Sequence, residues 1–220
     1  MIHWVIERAR GARRLDELIV ATDDVRIADA ARRIGATAVM TRSDHASGTD
    51  RVAEAVPAGR AAAVVNIQGD EPLMDPALID RLAEAVLADE ACDMATAVAP
   101  LEAEEDFLNP AVVKAVCDGD DWALYFSRSP IPFVRDGGFT GGTGLRWRHI
   151  GVYAYRDVFL RRFVATPPCP LEQAEKLEQL RALYMGARIK VLKTSYAGTG
   201  VDTPDDVAKV EARIRSAGMV

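Results

Sequence analysis

Apolar and polar positions along this chain follow two periods in turn. Residues 1–10, MIHWVIERAR, set Ile2, Val5, Ile6 and Ala9 on one face at helical spacing, and Gly11 follows as a stop. ELIVAT (17–22) predicts a strand, after which Asp23 and Asp24 cap a helix over 25–34 that ends at Gly35. A strand over TAVMT and a helix at 49–56 lead to AAAVVNIQGDEP (61–72), the stretch around which the rest is organised. Ala63, Val64, Val65 and Ile67 form an unbroken apolar run, the pattern of a central parallel strand covered by helices on both faces. Pro76 then opens a helix to about Ala88, and a strand runs from Asp93 to Ala99. Strand and helix alternating at this spacing predict an α/β fold with a mostly parallel sheet flanked by helices.

Past residue 100 the rhythm changes. VVKAVCD and WALYFS read as a hairpin joined by Gly119, Asp120 and Asp121, while DGGFTGGTG (136–144) is a glycine-rich loop. RHIGVYAYR (148–156) is a further strand, so a small β-rich insertion is expected at about 110–156. In PLEQAEKLEQLRALYMG, Leu171, Ala174, Leu177, Leu180 and Leu183 predict one helix that stops at Gly186. RIKVLKT is a last strand, and AGTGVDTPDDV turns into a last helix with Pro204 near its first position. With no repeat and no linker, a single domain over 1–220 is expected, its 100–165 region the candidate for a lid or a dimer contact.

Composition narrows the possible partners. A net charge of -6 argues against a nucleic-acid binder, whose footprint is normally basic, but leaves anionic small molecules open. Cys92, Cys117 and Cys169 are odd in number and far apart, with neither metal spacing nor a disulfide framework, which fits a reducing cytoplasm. No apolar run approaches the roughly 20 residues that span a bilayer, so no membrane insertion is expected.

The candidate chemistry begins where the central strand ends. Asp70 and Glu71 stand at its carboxyl end, the edge where ligands bind in open α/β sheets. A carboxylate held there suits a Mg²⁺ ion set against a nucleotide phosphate; the other reading is that Asp70 caps the next helix.

Six stretches, in order, resemble the 3-deoxy-manno-octulosonate (Kdo) cytidylyltransferases: DHASGTDR (44–51), NIQGDEP (66–72), YFSRSPIPFVRD (125–136), RHIGVYAYR, PLEQAEKLEQLR (170–181) and GTGVDTPDD (198–206). The resemblance implies a Rossmann-like nucleotidyltransferase, usually a homodimer dependent on Mg²⁺, that joins CTP and Kdo into CMP-Kdo and diphosphate for lipopolysaccharide assembly. By that resemblance Asp70 and Asp202 are the catalytic metal ligands, and Ser47, Gly48, Thr49 and Arg51 lie at cytosine. Ser47 and Thr49 also read as an ordinary turn and cap, and Asp202 as a cap ahead of Pro204. Gln68, Arg128, His149, Tyr153, Glu178 and Gln179 match sugar-binding positions, with Arg128 suited to the sugar carboxylate. His149 and Tyr153 stand four apart and so share a face, whereas Glu178 and Gln179 point about 100° apart, one facing the sugar and the other supporting it.

The resemblance leaves substrates open. An 8-amino Kdo analogue or a sialic acid stays as an alternative, as does a non-catalytic nucleotide-binding remnant. The family's first strand and its phosphate-wrapping loop, rich in Gly, Arg and Lys, have no counterpart in the sequence as given. The expectation is therefore a start upstream of Met1 and weak activity for the chain as it stands.

Overall fold

A computed structural model describes residues 1–135, 144–196, 198, 200–201 and 204–216. Within it the chain forms two compact units. The first comprises Met1–Ala61, Asn66–Arg81 and Gly198–Val220, the second Ala62–Val65 and Leu82–Ala197.

The first unit is built on α1 (Ile2–Arg10), β1 (Ile19–Thr22), α2 (Val25–Arg33), β2 (Thr37–Met40) and α3 (Gly48–Ala55). β1 and β2 run parallel, with Ile19 opposite Thr37. The helical spacing seen at the start of the chain becomes packing here: Ile6 of α1 is buried with Val20, Ala31 and Ala36, and Ile2, Leu18, Ile34 and Ala38 close around them. Asp24 caps α2, accepting from the Arg26 backbone N–H, and the Arg26 guanidinium beside it holds its carboxyl down to about 2. After α1 the chain passes so close to Pro76 that a Cβ on Gly11 would stand 2.9 Å from the proline Cγ, which only glycine tolerates.

The second unit carries β3 (Ala63–Asn66), whose last residue belongs to the first unit. After α4 (Pro76–Ala88), which runs from one unit into the other, come β4 (Met94–Pro100), α5 (Glu104–Leu108), β5 (Lys114–Cys117), β6 (Ala123–Ser127) and β7 (Trp147–Arg156). They are followed by α6 (Asp157–Ala165), α7 (Pro170–Glu175), α8 (Gln179–Tyr184) and β8 (Ile189–Lys193); α9 (Pro204–Ser216) returns to the first unit. The larger sheet has the order β6-β5-β7-β4-β8, with β3 against β7. β4 is its core, buried from Met94 to Ala99.

The expected parallel pairing holds for β1–β2 and for β4–β8. The β-rich insertion makes the larger sheet mixed, because β7 runs antiparallel to both β4 and β5 and the β5–β6 hairpin extends it. β3, expected at the centre, is paired with β7 alone among the described residues, and only Val64 and Asn66 of it are buried.

Two local features depart from the sequence pattern. The single helix expected over 170–184 is two, broken where Lys176 takes the left-handed conformation at φ 53°. The Arg128 guanidinium causes the break. Its Nε donates to the Glu175 carbonyl at 2.7 Å and its Nη2 to the Lys176 carbonyl at 3.5 Å, occupying acceptors that a continuing helix would use. The second feature is a bulge. Ala97 pairs with Ile150 and Thr96 with Tyr153, so Gly151 and Val152 are extra residues of β7 opposite one step of β4.

Candidate active site

In the first unit the candidate residues gather on α3 and on the turn after β3. Ser47 is the N-cap of α3: its Oγ accepts from the Asp50 backbone N–H at 3.2 Å and donates to the Asp50 carboxylate at 3.0 Å. The capping expectation for Ser47 therefore holds, while Thr49 is buried in the first turn. Arg51 reaches back to Thr41 Oγ1 at 2.6 Å and pairs with Asp23 at 3.3 Å, so its guanidinium is anchored between β1 and β2. Gly48 meets the other stretch directly, since a Cβ there would stand 3.7 Å from the Gln68 amide oxygen. Gln68, read from sequence with the sugar-binding set, is thus a member of the first unit.

Residues 68–71 form a turn closed by the Glu71 N–H on the Gln68 carbonyl at 3.2 Å. Asp70 lies within this turn, its carbonyl accepting from the Val201 N–H at 3.0 Å. It does not cap α4; Asp75 does that, its Oδ1 accepting from the Ala77 N–H at 3.1 Å. The Asp70 carboxylate makes no hydrogen bond and no ion pair among the described residues. A half-buried carboxylate left without a protein donor offers hard oxygen to a cation such as Mg²⁺. Asp202, its expected companion, lies outside the described residues, and no group of three or more metal-binding side chains occurs among those described.

In the second unit the candidate residues gather on and around the face of β7. The bulge draws His149 and Tyr153 together until their ring centroids are 5.5 Å apart, and the edge of Phe126 closes on the imidazole at 5.0 Å. The shared face expected from their spacing is therefore observed, and the two extra residues explain why the rings also touch. Burial pushes His149 down to about 3, so the ring is neutral at physiological pH. Burial, and after it the negative charge of Glu178, push the Tyr153 phenol up, which keeps it protonated. Tyr153 donates to the Gln179 amide oxygen at 3.2 Å. The buried Gln179 Nε2 has no hydrogen-bond partner among the described residues, a donor held ready in a place where leaving it unpaired is costly. Glu178, by contrast, is tied to Arg181 at 3.0 Å. Of this adjacent pair Gln179 meets the aromatic cluster through Tyr153, while Glu178 pairs with Arg181.

Arg128 does not extend a free fork. Besides the two carbonyls at the helix break, it donates from Nη1 to the Pro110 carbonyl at 2.9 Å, so three of its five N–H groups hold the protein's own chain. Sequence reading missed what stands behind it. Lys114 is fully buried and its Nζ donates to the carbonyls of Asn109, Val112 and Arg128 at 3.0, 2.6 and 2.5 Å. Burial pushes its ammonium down, and the nearby Glu175 partly offsets that. Glu175 accepts from the Ser127 hydroxyl at 2.6 Å and from the Arg128 N–H at 2.8 Å. Thr96 was missed too, although it is the one polar residue of MATAVAP, as Lys114 is the one charge of VVKAV. A single polar side chain inside an apolar strand was the available signal.

The family model described as Cytidylyltransferase matches residues 1–189. A 3-deoxy-manno-octulosonate cytidylyltransferase of Geobacter sulfurreducens is 46% identical over 98% of this chain and 89% of its own. Its counterpart in Syntrophobacter fumaroxidans is 52% identical over 96% of this chain and 84% of its own. Among solved structures, a CMP:2-keto-3-deoxy-manno-octonic acid synthetase complexed with CTP superposes with a TM-score of 0.90 at 39% identity, covering 98% of this chain and 88% of that one. These matches place the chain in the family of 3-deoxy-manno-octulosonate cytidylyltransferases.

Proposed function

We propose that this chain catalyses CTP + Kdo → CMP-Kdo + diphosphate. The observation that carries the reading is the face of β7, where a neutral imidazole, a protonated phenol and an unpaired amide donor converge between aromatic walls. Such a face offers several uncharged hydrogen-bonding groups and apolar ring surfaces to a polyhydroxylated sugar acid. The two N–H groups of Arg128 not engaged by carbonyls are left for the sugar carboxylate.

The reaction is a displacement at the α-phosphorus of CTP: the anomeric hydroxyl of the sugar forms the new P–O bond as diphosphate leaves. Positioning and charge neutralisation are its chief demands. We assign the cytosine side to Ser47, Gly48, Thr49 and Arg51, and Gln68, packed by Gly48, joins that set. Asp70 and Asp202 are assigned to Mg²⁺; the contact of Val201, the residue before Asp202, with the Asp70 carbonyl supports treating the two as one set. Bound there, Mg²⁺ would supply positive charge to the triphosphate. A cytoplasmic location enters this reading from the cysteine pattern and a homodimeric state from the resemblance, and light scattering after size-exclusion chromatography tests the second.

Diphosphate release from CTP, Kdo and Mg²⁺, with the 8-amino analogue and a sialic acid as competing substrates, tests the assignment. Turnover highest with Kdo supports it. A clear preference for either competitor, or nucleotide binding without product, overturns it.

A further inference from the structure

We propose that Thr96 is a positioning residue that fixes His149 in its Nε2–H form, so that Nδ1 meets the substrate as a hydrogen-bond acceptor. The part of this that concerns the sugar rests on the function proposed above; the part that concerns the proton does not.

Thr96 is fully buried at the bulge, and its Oγ1 has three polar neighbours: the Val152 carbonyl at 2.8 Å, the Ile150 carbonyl at 3.3 Å and His149 Nε2 at 2.9 Å. A hydroxyl has one proton to give, and carbonyl oxygens can only accept. Were that proton turned to the imidazole, both carbonyls would face an oxygen lone pair at these distances with nothing between. The proton therefore goes to Val152, the shorter contact, and the hydroxyl accepts from His149 Nε2–H.

A neutral imidazole with its proton on Nε2 carries a lone pair on Nδ1. Nδ1 makes no hydrogen bond among the described residues. Beside it the Tyr153 hydroxyl is already engaged with the Gln179 oxygen, and Gln179 Nε2 is the unpaired donor. The face thus presents one acceptor and one donor of fixed identity. Nδ1 receives a sugar hydroxyl and repels a carboxylate, so the acid group of the substrate must be bound elsewhere. The bulge explains why Thr96 can reach so far: two extra residues turn the Ile150 and Val152 carbonyls toward β4, and the threonine hydroxyl ties them to the imidazole.

The chain has three histidines, so ¹⁵N-labelled imidazoles give a readable spectrum, with His149 assigned by its loss in His149→Gln. The wild-type protein at neutral pH is expected to show a pyridine-like Nδ1 and a pyrrole-like Nε2. Thr96→Val should release the tautomer and raise KM for Kdo about tenfold with kcat little changed, and Thr96→Ser, which keeps the hydroxyl, should restore both. A pyrrole-like Nδ1 in the wild type overturns the proposal, as does a valine variant with tautomer and KM unchanged. If the valine variant does not fold, the wild-type spectrum alone decides. A protein with the Nε2–H form that does not turn over Kdo keeps the Thr96 assignment and refutes the function.

Discussion

In the first unit Ser47 and Arg51 direct their polar atoms at the protein's own chain, one capping α3 and the other bridging Thr41 and Asp23, while the Asp70 carboxylate stands in a turn without a donor among the described residues. In the second, His149, Tyr153 and Gln179 are set side by side on and against a buried strand, and Lys114 and Arg128 fix the backbone around it. The first arrangement offers a ligand one hard anionic group and a shaped stretch of chain. The second offers uncharged side chains whose donors and acceptors are assigned in advance. Damage to the first should appear as lost turnover, and damage to the second as lost stability or weaker binding of one substrate.

The sharpest way to break this contrast is Asp70→Asn. Turnover is expected to fall about 10²- to 10³-fold with the melting temperature unchanged, because the carboxylate stabilises charge on the substrate and not the fold. A variant within a few-fold of wild type in the diphosphate assay would remove Asp70 from the chemistry. Lys114→Met should do the opposite. It leaves three carbonyls and Glu175 without their ammonium, at a cost of about 3 kcal/mol, read from chemical denaturation.

Acid sharpens the comparison further. His149 is held at about 3 when folded and titrates near its usual 6.5 when unfolded, so between these values the unfolded chain takes up a proton that the folded chain refuses. Stability from this group is complete above the unfolded value and declines as pH falls through the window, by at most about 1.4 kcal/mol per pH unit. His149→Gln should flatten that part of the curve, and an unchanged slope in urea titrations between pH 5 and 7 would disprove the account. The smallest effect expected is from Tyr153→Phe: KM for Kdo rises about five- to tenfold, the value of one hydrogen bond, with KM for CTP unaltered. A matching change in both constants would mean the two units do not divide the substrates.

Most helices and strands were legible as periodicity, down to α1 and the β5–β6 hairpin, because burial of one face is a property of the residues themselves. Two helices, α5 and α6, had not been expected, and the finer departures were imposed by single side chains distant in sequence. Nothing in EQAEKLEQ marks Lys176 as left-handed; Arg128, some fifty residues earlier, breaks the helix by taking its carbonyls. The spacing of His149 and Tyr153 gave their common face but not their contact, which needs the bulge, and the bulge is held by Thr96. Arg128 read only as suited to a carboxylate because sequence shows a charge and not the three carbonyls it already holds. Residues 136–143 and Asp202 lie outside the described residues, and the expectations placed on them stay as they were.

The bulge also restricts how this part of the gene can change length. Side chains on a strand alternate, so removing one of Gly151 or Val152 would swing either the imidazole or the phenol to the opposite layer, whereas removing both would leave the rings on one side of a regular strand, opposite Val98 and Thr96 as before, but without the Val152 carbonyl that receives the Thr96 hydroxyl. Insertions and deletions here are therefore tolerated in twos or not at all, and a pair of missing codons would leave a well-paired sheet in which the buried Thr96 hydroxyl had lost its nearest acceptor.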